Sequence, residues 1–400
     1  MQETFAEIYE AVDQVIRRGG YLNIVLSAEF KHRAEVHFVV KGTVEHYFEL
    51  KFLIEALAPK KVKPALVSLL LPALFMLKYS DIPRFAVTSG AVEFAGKRFG
   101  AGVKGFVNAV LKNVDKIPPL TGKKELEARL NAPYFLVEAL EKDGFDAEKI
   151  LRPEKSRLVH FRLGKKGSPK DLEGLGALES SEAGGWFSGP DKRLSALNSE
   201  GKISFISPSS MECVNAFGSI AGKSFLDVAA APGGKSVYAS DKGAAVTAGD
   251  IHPHRVELIK SYARRTGAII NALTNDATIF RSDWEGAFDC VLVDAPCMGL
   301  GVVGARPDVT LNRSPSDIET ISRLQKSILS VSSRYVKPGG KLVYSTCSLL
   351  KAESSAIISD FVQNNDEFRI LNYKNNCEFG RYIMPDDRWD GFFVSVTERR

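Results

Sequence analysis

Two cysteines follow closely on apolar runs that are typical of buried strands. Phe288–Asp294 leads into Ala-Pro-Cys297, and residues 340–345 lead into Thr-Cys347. Parallel strands that are neighbours in a doubly wound sheet end at the same edge, where such sheets bind their ligands. The spacing therefore predicts that both thiols and the Asp294 carboxylate share one crevice.

Two thiols beside a carboxylate suit methyl transfer to a ring carbon that is a weak nucleophile. Carbon 5 of cytosine cannot take a methyl group directly, but a thiolate that adds at carbon 6 turns the ring into an enamine that can attack S-adenosylmethionine. A second group must then help to remove the carbon-5 proton, so that the enzyme can leave by elimination. Methylation of an exocyclic amine needs no covalent adduct, and two cysteines would serve no purpose there.

A glycine pair follows the first strand of the same region. Residues 224–229 form a short apolar run that continues into Ala-Ala-Pro-Gly-Gly-Lys235. Glycines between a strand and a helix let the backbone approach a ligand and expose the helix N–H groups. The pattern does not match GxGxxG, which argues against the usual dinucleotide enzymes; a purely structural turn is an equal alternative. The cofactor-binding residues predicted at this turn are Ala229, Ala230, Ala231, Pro232, Gly233, Gly234 and Lys235.

Acidic residues stand at the ends of the next two strands. Asp250 ends the run Ala245–Asp250, and Asp276 follows the run at 269–273. A carboxylate at the end of the second strand can accept hydrogen bonds from both ribose hydroxyls of an adenosine-containing cofactor. Either aspartate alone could equally be a helix N-cap. Their alignment with the glycine pair favours a nucleoside site.

The pattern of apolar and polar residues along the chain predicts three regions. From about residue 201, short apolar runs alternate with helical stretches, which predicts βαβ units and a doubly wound, mostly parallel α/β sheet. Residues 119–200 are predicted to be a small α+β region, with a helix at 134–150 and a strand at Leu158–Leu163. A turn-rich and mobile connection is expected around Gly184, Gly185, Gly189 and Pro190.

Residues 1–118 are predicted to form an all-helical domain. The expected helices cover residues 5–16, 48–57, 65–77 and 99–114. Gly19-Gly20 should end the first helix and Pro59 the second. The third is apolar all round, so we expect it at the centre of a bundle, kinked at Pro72.

The composition restricts the class of protein. The 400 residues are 44% hydrophobic and 25% charged, which indicates two or three soluble domains and excludes disordered or fibrous proteins. The uncharged stretch between Lys63 and Lys78 is too short for a bilayer, and no signal peptide is visible. Five cysteines without a CxxC pair favour a reducing cytoplasm and argue against a zinc site. The cysteines expected to be small core residues are Cys213, Cys290 and Cys377.

Two stretches carry an excess of positive charge. Residues 51–118 hold 11 Lys or Arg against four Asp or Glu, and residues 149–170 hold eight against Glu154 alone. Such clusters give nucleic-acid binders their sequence-independent affinity through phosphate contacts. A solvated basic surface explains them at least as well, so the charge alone does not decide.

Taken together, the motifs resemble those of the RNA cytosine-C5 methyltransferases. The matching stretches, in chain order, are AAAPGGK (229–235), DAPCMGLGV (294–302), Arg306-Pro307-Asp308, Ser345-Thr-Cys-Ser348 and Asp390-Gly-Phe-Phe393. The resemblance covers most of residues 201–400 and implies a Rossmann-like fold that binds S-adenosylmethionine under the glycine pair. It further implies that Asp250 binds the ribose, that Asp276 contacts the adenine edge and that Asp294 lies between cofactor and base. Cys347 would be the nucleophile and Cys297 the residue that assists release.

The first region is similar to the RNA-binding helical domain related to the antitermination factor NusB. The similarity rests on Gly19-Gly20 within residues 12–26, on Asp81-Ile-Pro83 and on residues 104–112. The fusion implies a cytosolic, monomeric enzyme that methylates one unpaired or flipped cytosine of small-subunit (16S) ribosomal RNA. The alternatives are a tRNA or another ribosomal site, and an RNA-binding assembly factor without activity. The intact thiols, Asp294 and the glycine pair argue against the last.

The chain departs from the family pattern at two places. The entry to the catalytic domain reads Ile206-Ser-Pro-Ser-Ser210 instead of the Gln-Asp type, and Gly304-Ala305 replaces the arginines expected before Pro307-Asp308. We expect these departures to affect the choice of target more than the chemistry.

Overall fold

The computed structural model describes residues 2–58, 60–117, 119–152, 158–175, 179–181, 184–188 and 191–400. They form two compact units. The first comprises Met1–Lys142 and Ala305–Ser314, and the second comprises Asp143–Gly304 and Pro315–Arg400. The division into domains at residues 118 and 200 stays a prediction. Pro59, Gly189, Pro190 and the charged residues Glu154, Lys155 and Arg157 lie outside the described residues.

The first unit is helical, as predicted. Its helices are α1 (Gln2–Ile16), α2 (Leu22–Leu26), α3 (Arg33–Glu45), α4 (Tyr47–Leu57), α5 (Pro64–Tyr79), α6 (Arg84–Phe99), α7 (Lys104–Lys112), α8 (Gly122–Leu130) and α9 (Tyr134–Lys142). Helix α5 is buried along most of its length and continues through Pro72. It packs on α1, α3, α4 and α6, which confirms that the apolar helix is the centre of the bundle.

Two predicted helices are present but have the wrong extent, because each prediction ran through a glycine. We expected one helix over residues 99–114, but α6 ends at Phe99 and α7 begins at Lys104. Gly100 between them has a φ of 94°. We also expected one helix over residues 134–150, but α9 and α10 (Ala147–Leu151) are separated at Gly144, which has a φ of 87°. Positive φ favours glycine and ends a helix.

Residues 305–314 belong to the helical unit although they lie far along the chain. The Leu22 amide, in the first turn of α2, donates to Asp308 Oδ2 at 3.2 Å. Thr310 Oγ1 donates to the Asn131 carbonyl at 2.8 Å, and Leu311 is part of the helical core. The Arg306-Pro307-Asp308 motif is thus fixed by contacts within the first unit.

The second unit begins with α10 and a small antiparallel sheet. Its strands β1 (Leu158–Leu163), β2 (Glu179–Ser181), β3 (Gly184–Ser188) and β4 (Ile203–Phe205) have the order β2-β3-β1-β4, with α11 (Lys192–Ser199) before β4. The predicted strand at β1 is confirmed. Gly184 and Gly185 do not form the expected connection but lie in β3. A Cβ on Gly184 would lie 2.3 Å from the Phe161 carbonyl oxygen of β1, so this glycine permits close strand pairing.

A larger, doubly wound sheet follows, as predicted. It contains β5 (Ser224–Asp227), β6 (Ala245–Asp250), β7 (Ile270–Thr274), β8 (Phe288–Asp294), β9 (Val336–Thr346), β10 (Phe368–Leu371), β11 (Arg381–Ile383) and β12 (Phe392–Arg399). The order is β10-β12-β9-β8-β5-β6-β7, with β11 paired to β12. The strands from β5 to β9 are parallel, and β10 to β12 add antiparallel pairs.

Five helices pack against the strands of this sheet. They are α12 (Pro208–Asn215), α13 (Gly234–Asp241), α14 (Pro253–Thr266), α15 (Pro315–Ser333) and α16 (Ser355–Gln363). The strand order reverses between β5 and β8, which places a crevice at their carboxyl ends. Among the described residues, no helix is long and apolar enough to cross a membrane.

Candidate active site

The two predicted thiols meet at the carboxyl edge of the large sheet. Strands β8 and β9 are neighbours in which Asp294 pairs with Ser345, so the segments that follow them run side by side. Cys297 Sγ and Cys347 Sγ lie 3.1 Å apart, and either thiol can donate to the other. Both side chains are partly exposed, so a substrate can reach them.

The surroundings raise the pKa of the Cys297 thiol well above its ordinary value. The largest cause is the hydrogen bond with Cys347, followed by burial and by the negative charges of Cys347 and Glu353. Cys297 therefore holds its proton more tightly than an ordinary cysteine does.

Asp294 is held in place by two partners on neighbouring elements. Lys235 Nζ, in the first turn of α13, donates to Asp294 Oδ2 at 2.7 Å, and Ser345 Oγ donates to Asp294 Oδ1 at 2.9 Å. The lysine ammonium also lies 5.5 Å from the centroid of the Phe392 ring. Burial is the largest single influence and lowers the pKa of Lys235, but the charge of Asp294, its hydrogen bond and the neighbouring Cys213 and Asp227 together outweigh it, so the net pKa is raised and the lysine stays charged.

The glycine pair forms the predicted turn between β5 and α13. Gly233 has a φ of 107°, and a Cβ there would lie 3.3 Å from Ile259 Cα. A Cβ on Gly234 would come no closer than 3.8 Å to any neighbour. Gly233 is therefore required by the backbone itself, whereas Gly234 leaves room for a Cβ, which would make ordinary contacts with Ile206 and Tyr262.

Sequence reasoning missed Asp227, which ends β5 directly before this turn. It is 1% exposed, and Ser236 Oγ donates to its Oδ2 at 2.7 Å. Its Oδ1 has no hydrogen-bond partner among the described residues. Burial is the main cause that raises the pKa of Asp227 to about 7. Its position at the end of the first strand, next to the glycine turn, was the signal that could have identified it.

Asp250 and Asp276 lie after β6 and β7, in line with the glycine turn. One oxygen of each accepts a hydrogen bond from the amide two residues ahead, from His252 at 3.1 Å and from Thr278 at 2.9 Å. Asp250 Oδ2 also lies 3.4 Å from Arg255 Nη2. Neither aspartate is the helix N-cap that the sequence left open, because the N-cap of α14 is His252 and that of the short helix after Asp276 is Arg281; each carboxylate instead closes a local turn. Neighbouring β6 and β7 place both groups at the same edge.

The remaining cysteines divide between core and partly exposed positions. Cys213 and Cys290 are buried, as expected of core residues, and burial is the main cause that raises their pKa values to about 12 and about 11. Cys377 is partly exposed, so its assignment to the core was only partly right. It packs against the edge of the core and donates to the Gly380 carbonyl.

Two motif glycines join the loops around the site. The Gly391 amide donates to the Gly301 carbonyl at 2.7 Å, and the Gly301 amide donates to the Cys347 carbonyl at 2.8 Å. A Cβ on Gly301 would lie 1.9 Å from the Gly391 oxygen. Asp390 accepts a hydrogen bond from Ser209 Oγ at its main-chain carbonyl, and burial raises the pKa of its carboxyl. The DAPCMGLGV and Asp-Gly-Phe-Phe motifs thus form one backbone-to-backbone contact.

Comparison with known proteins identifies both parts of the chain. Residues 219–397 match the family model described as 16S rRNA methyltransferase RsmB/F, and residues 2–116 match that of the NusB family. The chain is 32% identical, over 98% of its length and 97% of the relative's, to a probable ribosomal RNA small subunit methyltransferase B of Bacillus subtilis. It is 27% identical to the ribosomal RNA small subunit methyltransferase B of Serratia proteamaculans, over 96% of both chains.

Solved structures share the fold. The crystal structure of PH0851 superposes with a TM-score of 0.85 at 23% identity, covering 100% of this chain and 99% of that one. A methyltransferase homologue from Pyrococcus horikoshii gives a TM-score of 0.51 at 23% identity, over 66% and 99% of the two chains. With the relatives matched along almost their whole length, the chain belongs to the RsmB/F family of 16S rRNA methyltransferases and is an RNA methyltransferase.

Proposed function

We propose that this protein methylates carbon 5 of a cytosine in small-subunit ribosomal RNA, with S-adenosylmethionine as the methyl donor and a covalent cysteine adduct at carbon 6. The observation that carries the proposal is the pair of thiols 3.1 Å apart at the ends of β8 and β9, beside the Asp294 carboxylate. A single thiol suffices for addition to the ring, whereas a second one is useful only when the adduct must also be resolved.

The residues at the carboxyl edge fit S-adenosylmethionine. The backbone at Gly234, which is partly exposed, would receive the ligand, the Asp227 oxygen that lacks a protein partner suits its cationic amino group, and Asp250 suits its ribose. When bound, the cofactor supplies an electrophilic methyl group. Ala229 to Lys235 form the wall of this site, with Asp276 at its far side and Asp294 on the side of the base.

Cys347 acts as the nucleophile. Its sulfur forms a bond to carbon 6 of the cytosine, and the electron pair of the 5,6 double bond makes carbon 5 nucleophilic. Asp294, oriented by Lys235 and Ser345, presents its oxygens to the polar edge of the base without having to reorganise. The target must be unpaired or flipped, because a protein thiol cannot reach carbon 6 within a stacked helix.

Cys297 serves the release step. While Cys347 is free, its hydrogen bond and its charge are major causes of the raised pKa of Cys297. Once Cys347 is bonded to carbon, its sulfur is a neutral thioether and both of these causes disappear, so Cys297 loses its proton more easily. Cys297, which is partly exposed, gives its proton to solvent, and its thiolate can then take the carbon-5 proton. The electron pair of the carbon–hydrogen bond restores the 5,6 double bond, and Cys347 leaves carbon 6 with the electron pair of the carbon–sulfur bond, as a thiolate.

The experiment is a denaturing gel of the full-length protein purified from cells, with the sequence of any attached RNA. Cys297→Ala should run as a covalent protein–RNA complex, and adding Cys347→Ala should abolish it. Cys377→Ala is the matched control, since that thiol is partly exposed but donates a hydrogen bond to the Gly380 carbonyl. Wild-type activity without a shifted band would refute the role of Cys297.

The attached RNA also decides between the alternatives. A small-subunit ribosomal sequence is the expected result, whereas a tRNA or another ribosomal site would correct the substrate and leave the chemistry in place. If no variant traps RNA and the wild-type protein transfers no methyl group to unmodified ribosomal RNA, the protein is an RNA-binding assembly factor instead.

A further inference from the structure

The loop that carries Cys297 is held from both sides by two buried polar side chains. Gln325 Nε2, on α15, donates to the Pro296 carbonyl at 2.8 Å. The Met298 amide donates to Glu353 Oε2 at 2.9 Å. The main-chain groups that flank Cys297 thus each have a side-chain partner, and both Gln325 and Glu353 are fully buried.

The two side chains also contact each other and are themselves fixed. Gln325 Nε2 lies 3.4 Å from Glu353 Oε2. The main-chain carbonyl of Glu353 accepts a hydrogen bond from the Tyr344 hydroxyl of β9 at 2.7 Å. Ser322, one turn before Gln325 on α15, donates to the Ala352 carbonyl at 2.8 Å. The short helix Lys351–Glu353 is therefore anchored to the sheet and to α15.

Glu353 also links the segment that carries Cys347 to the loop that carries Cys297. Glu353 lies six residues after Cys347 on the segment that follows β9, yet its carboxylate contacts the loop that follows β8. Burying a carboxylate costs desolvation free energy, and the cost is smaller when the carboxylate accepts hydrogen bonds from main-chain and amide N–H groups. An apolar pair of the same size would fill the same space without any desolvation cost. The polar pair is therefore useful for what it holds, which is the Cys297 backbone.

We propose that Gln325 and Glu353 are positioning residues that hold Cys297 against the Cys347 adduct, so that they are needed for release of the methylated RNA and not for formation of the adduct. The proposal rests on the proposed function. Addition at carbon 6 uses Cys347, whose own segment is fixed by Gly301 and by β9. Removal of the carbon-5 proton uses Cys297, and a small displacement of its sulfur is enough to slow proton transfer.

The test uses the full-length protein with Gln325→Met, which keeps the side-chain volume but removes the donor. Gln325→Asn, one methylene shorter, is the second variant in case the first unfolds. Gln363→Met is the matched control, because Gln363 is exposed on α16. Two rates are measured on unmodified small-subunit ribosomal RNA: methyl transfer in a single turnover, and steady-state turnover, together with the fraction of protein that stays bonded to RNA on a denaturing gel.

Both Gln325 variants should lower steady-state turnover at least tenfold while single-turnover transfer changes less than threefold, and the bonded fraction should rise from a trace to most of the enzyme. Glu353→Gln, which keeps an oxygen for the Met298 amide, should retain most of the turnover of the wild type, whereas Glu353→Leu should trap RNA. Equal losses in both rates, or normal release by folded Gln325 variants, would overturn the proposal. Cys297→Ala, measured in parallel, distinguishes failure of the proposed function from failure of the positioning role. If Cys297→Ala also traps no RNA, the proposed chemistry fails. If Cys297→Ala traps RNA and the Gln325 variants do not, only the positioning role fails.

Discussion

Removing the ammonium group of Lys235 should destabilise the second unit strongly, because it leaves Asp294 without its charged partner. The side chains of Lys235 and Asp294 are only 15% and 25% exposed, and their charged atoms lie 2.7 Å apart. At an effective dielectric constant of about 20, this distance corresponds to an attraction of roughly 6 kcal/mol, most of which offsets the loss of hydration of the two ions. Loss of one partner from such a pair costs about 3 kcal/mol.

A double-mutant cycle isolates this interaction from the other effects of each substitution. Lys235→Met and Asp294→Asn should each lower the free energy of unfolding by about 2–3 kcal/mol, and the double variant should lose little more than either single one. The coupling energy should therefore be about 2 kcal/mol. All three tryptophans, Trp186, Trp284 and Trp389, belong to the second unit, so urea unfolding followed by tryptophan fluorescence reports on that unit alone.

The matched control is an exposed ion pair in the same unit. Lys326 Nζ and Asp360 Oδ2 lie 2.9 Å apart, with side chains 50% and 49% exposed, so their coupling energy should be below about 1 kcal/mol. Additive losses at Lys235 and Asp294, or a coupling energy no larger than that of the exposed pair, would show that the ion pair does not hold Asp294 in place.

Two further predictions concern the cofactor edge. Gly233→Ala forces a positive φ on alanine and should lower the free energy of unfolding by about 1–3 kcal/mol. Gly234→Ala should change the free energy of unfolding by less than about 0.5 kcal/mol but weaken the binding of S-adenosylmethionine in a calorimetric titration. Unchanged binding would place the ligand elsewhere. Asp227 keeps its proton in the folded protein up to about pH 7 but loses it in the unfolded chain from about pH 4. As the pH rises from 4 to 7, this group therefore lowers the free energy of unfolding of the wild type by up to roughly 4 kcal/mol. Asn at this position does not titrate, so Asp227→Asn should become more stable relative to the wild type over this interval. A stability difference that does not vary with pH in urea unfolding would contradict this.

The sequence predicted the parallel strands well because they are buried on both faces. Strands β6 and β8 begin and end where the apolar runs do, and β5, β7 and β9 differ only at their ends. Such strands can be predicted without knowing their partner strands, since burial on both faces requires apolar residues throughout. The antiparallel strands β10, β11 and β12 were not predicted, because their pairing partners, and not a continuous apolar run, define them.

The failures at helices and loops share one cause, which is that glycine has several structural roles. Gly100 and Gly144 end helices, Gly184 permits close strand pairing and Gly301 permits two loops to touch. The sequence does not distinguish these roles: the predicted helices ran through Gly100 and Gly144, whereas Gly184 was expected in a turn. At Gly100 and Gly144 nothing lies within 4 Å of a Cβ and the positive φ decides the role, whereas the close neighbours of Gly184 and Gly301 are distant in the chain.

The same limit explains which parts of the site could be predicted. Asp294, Cys297 and Cys347 could be placed together because each follows a strand and the sheet rule brings the strand ends to one edge. Gln325 and Glu353 carry no comparable signal. They come from a helix and a short turn, and only the folded chain places them on either side of Cys297.

The different supports of the two thiols suit the different tasks that we propose for them. Cys347 is joined directly to β9, and its carbonyl accepts from Gly301, so its position is fixed by main-chain hydrogen bonds. Cys297 lies three residues beyond β8 on a loop whose flanking groups are held by side chains. A nucleophile must meet one atom of the incoming base, whereas the group that completes the reaction must reach a second atom only after the ring has changed shape. A loop held by buried side chains, close to but separate from the strand, meets that second requirement.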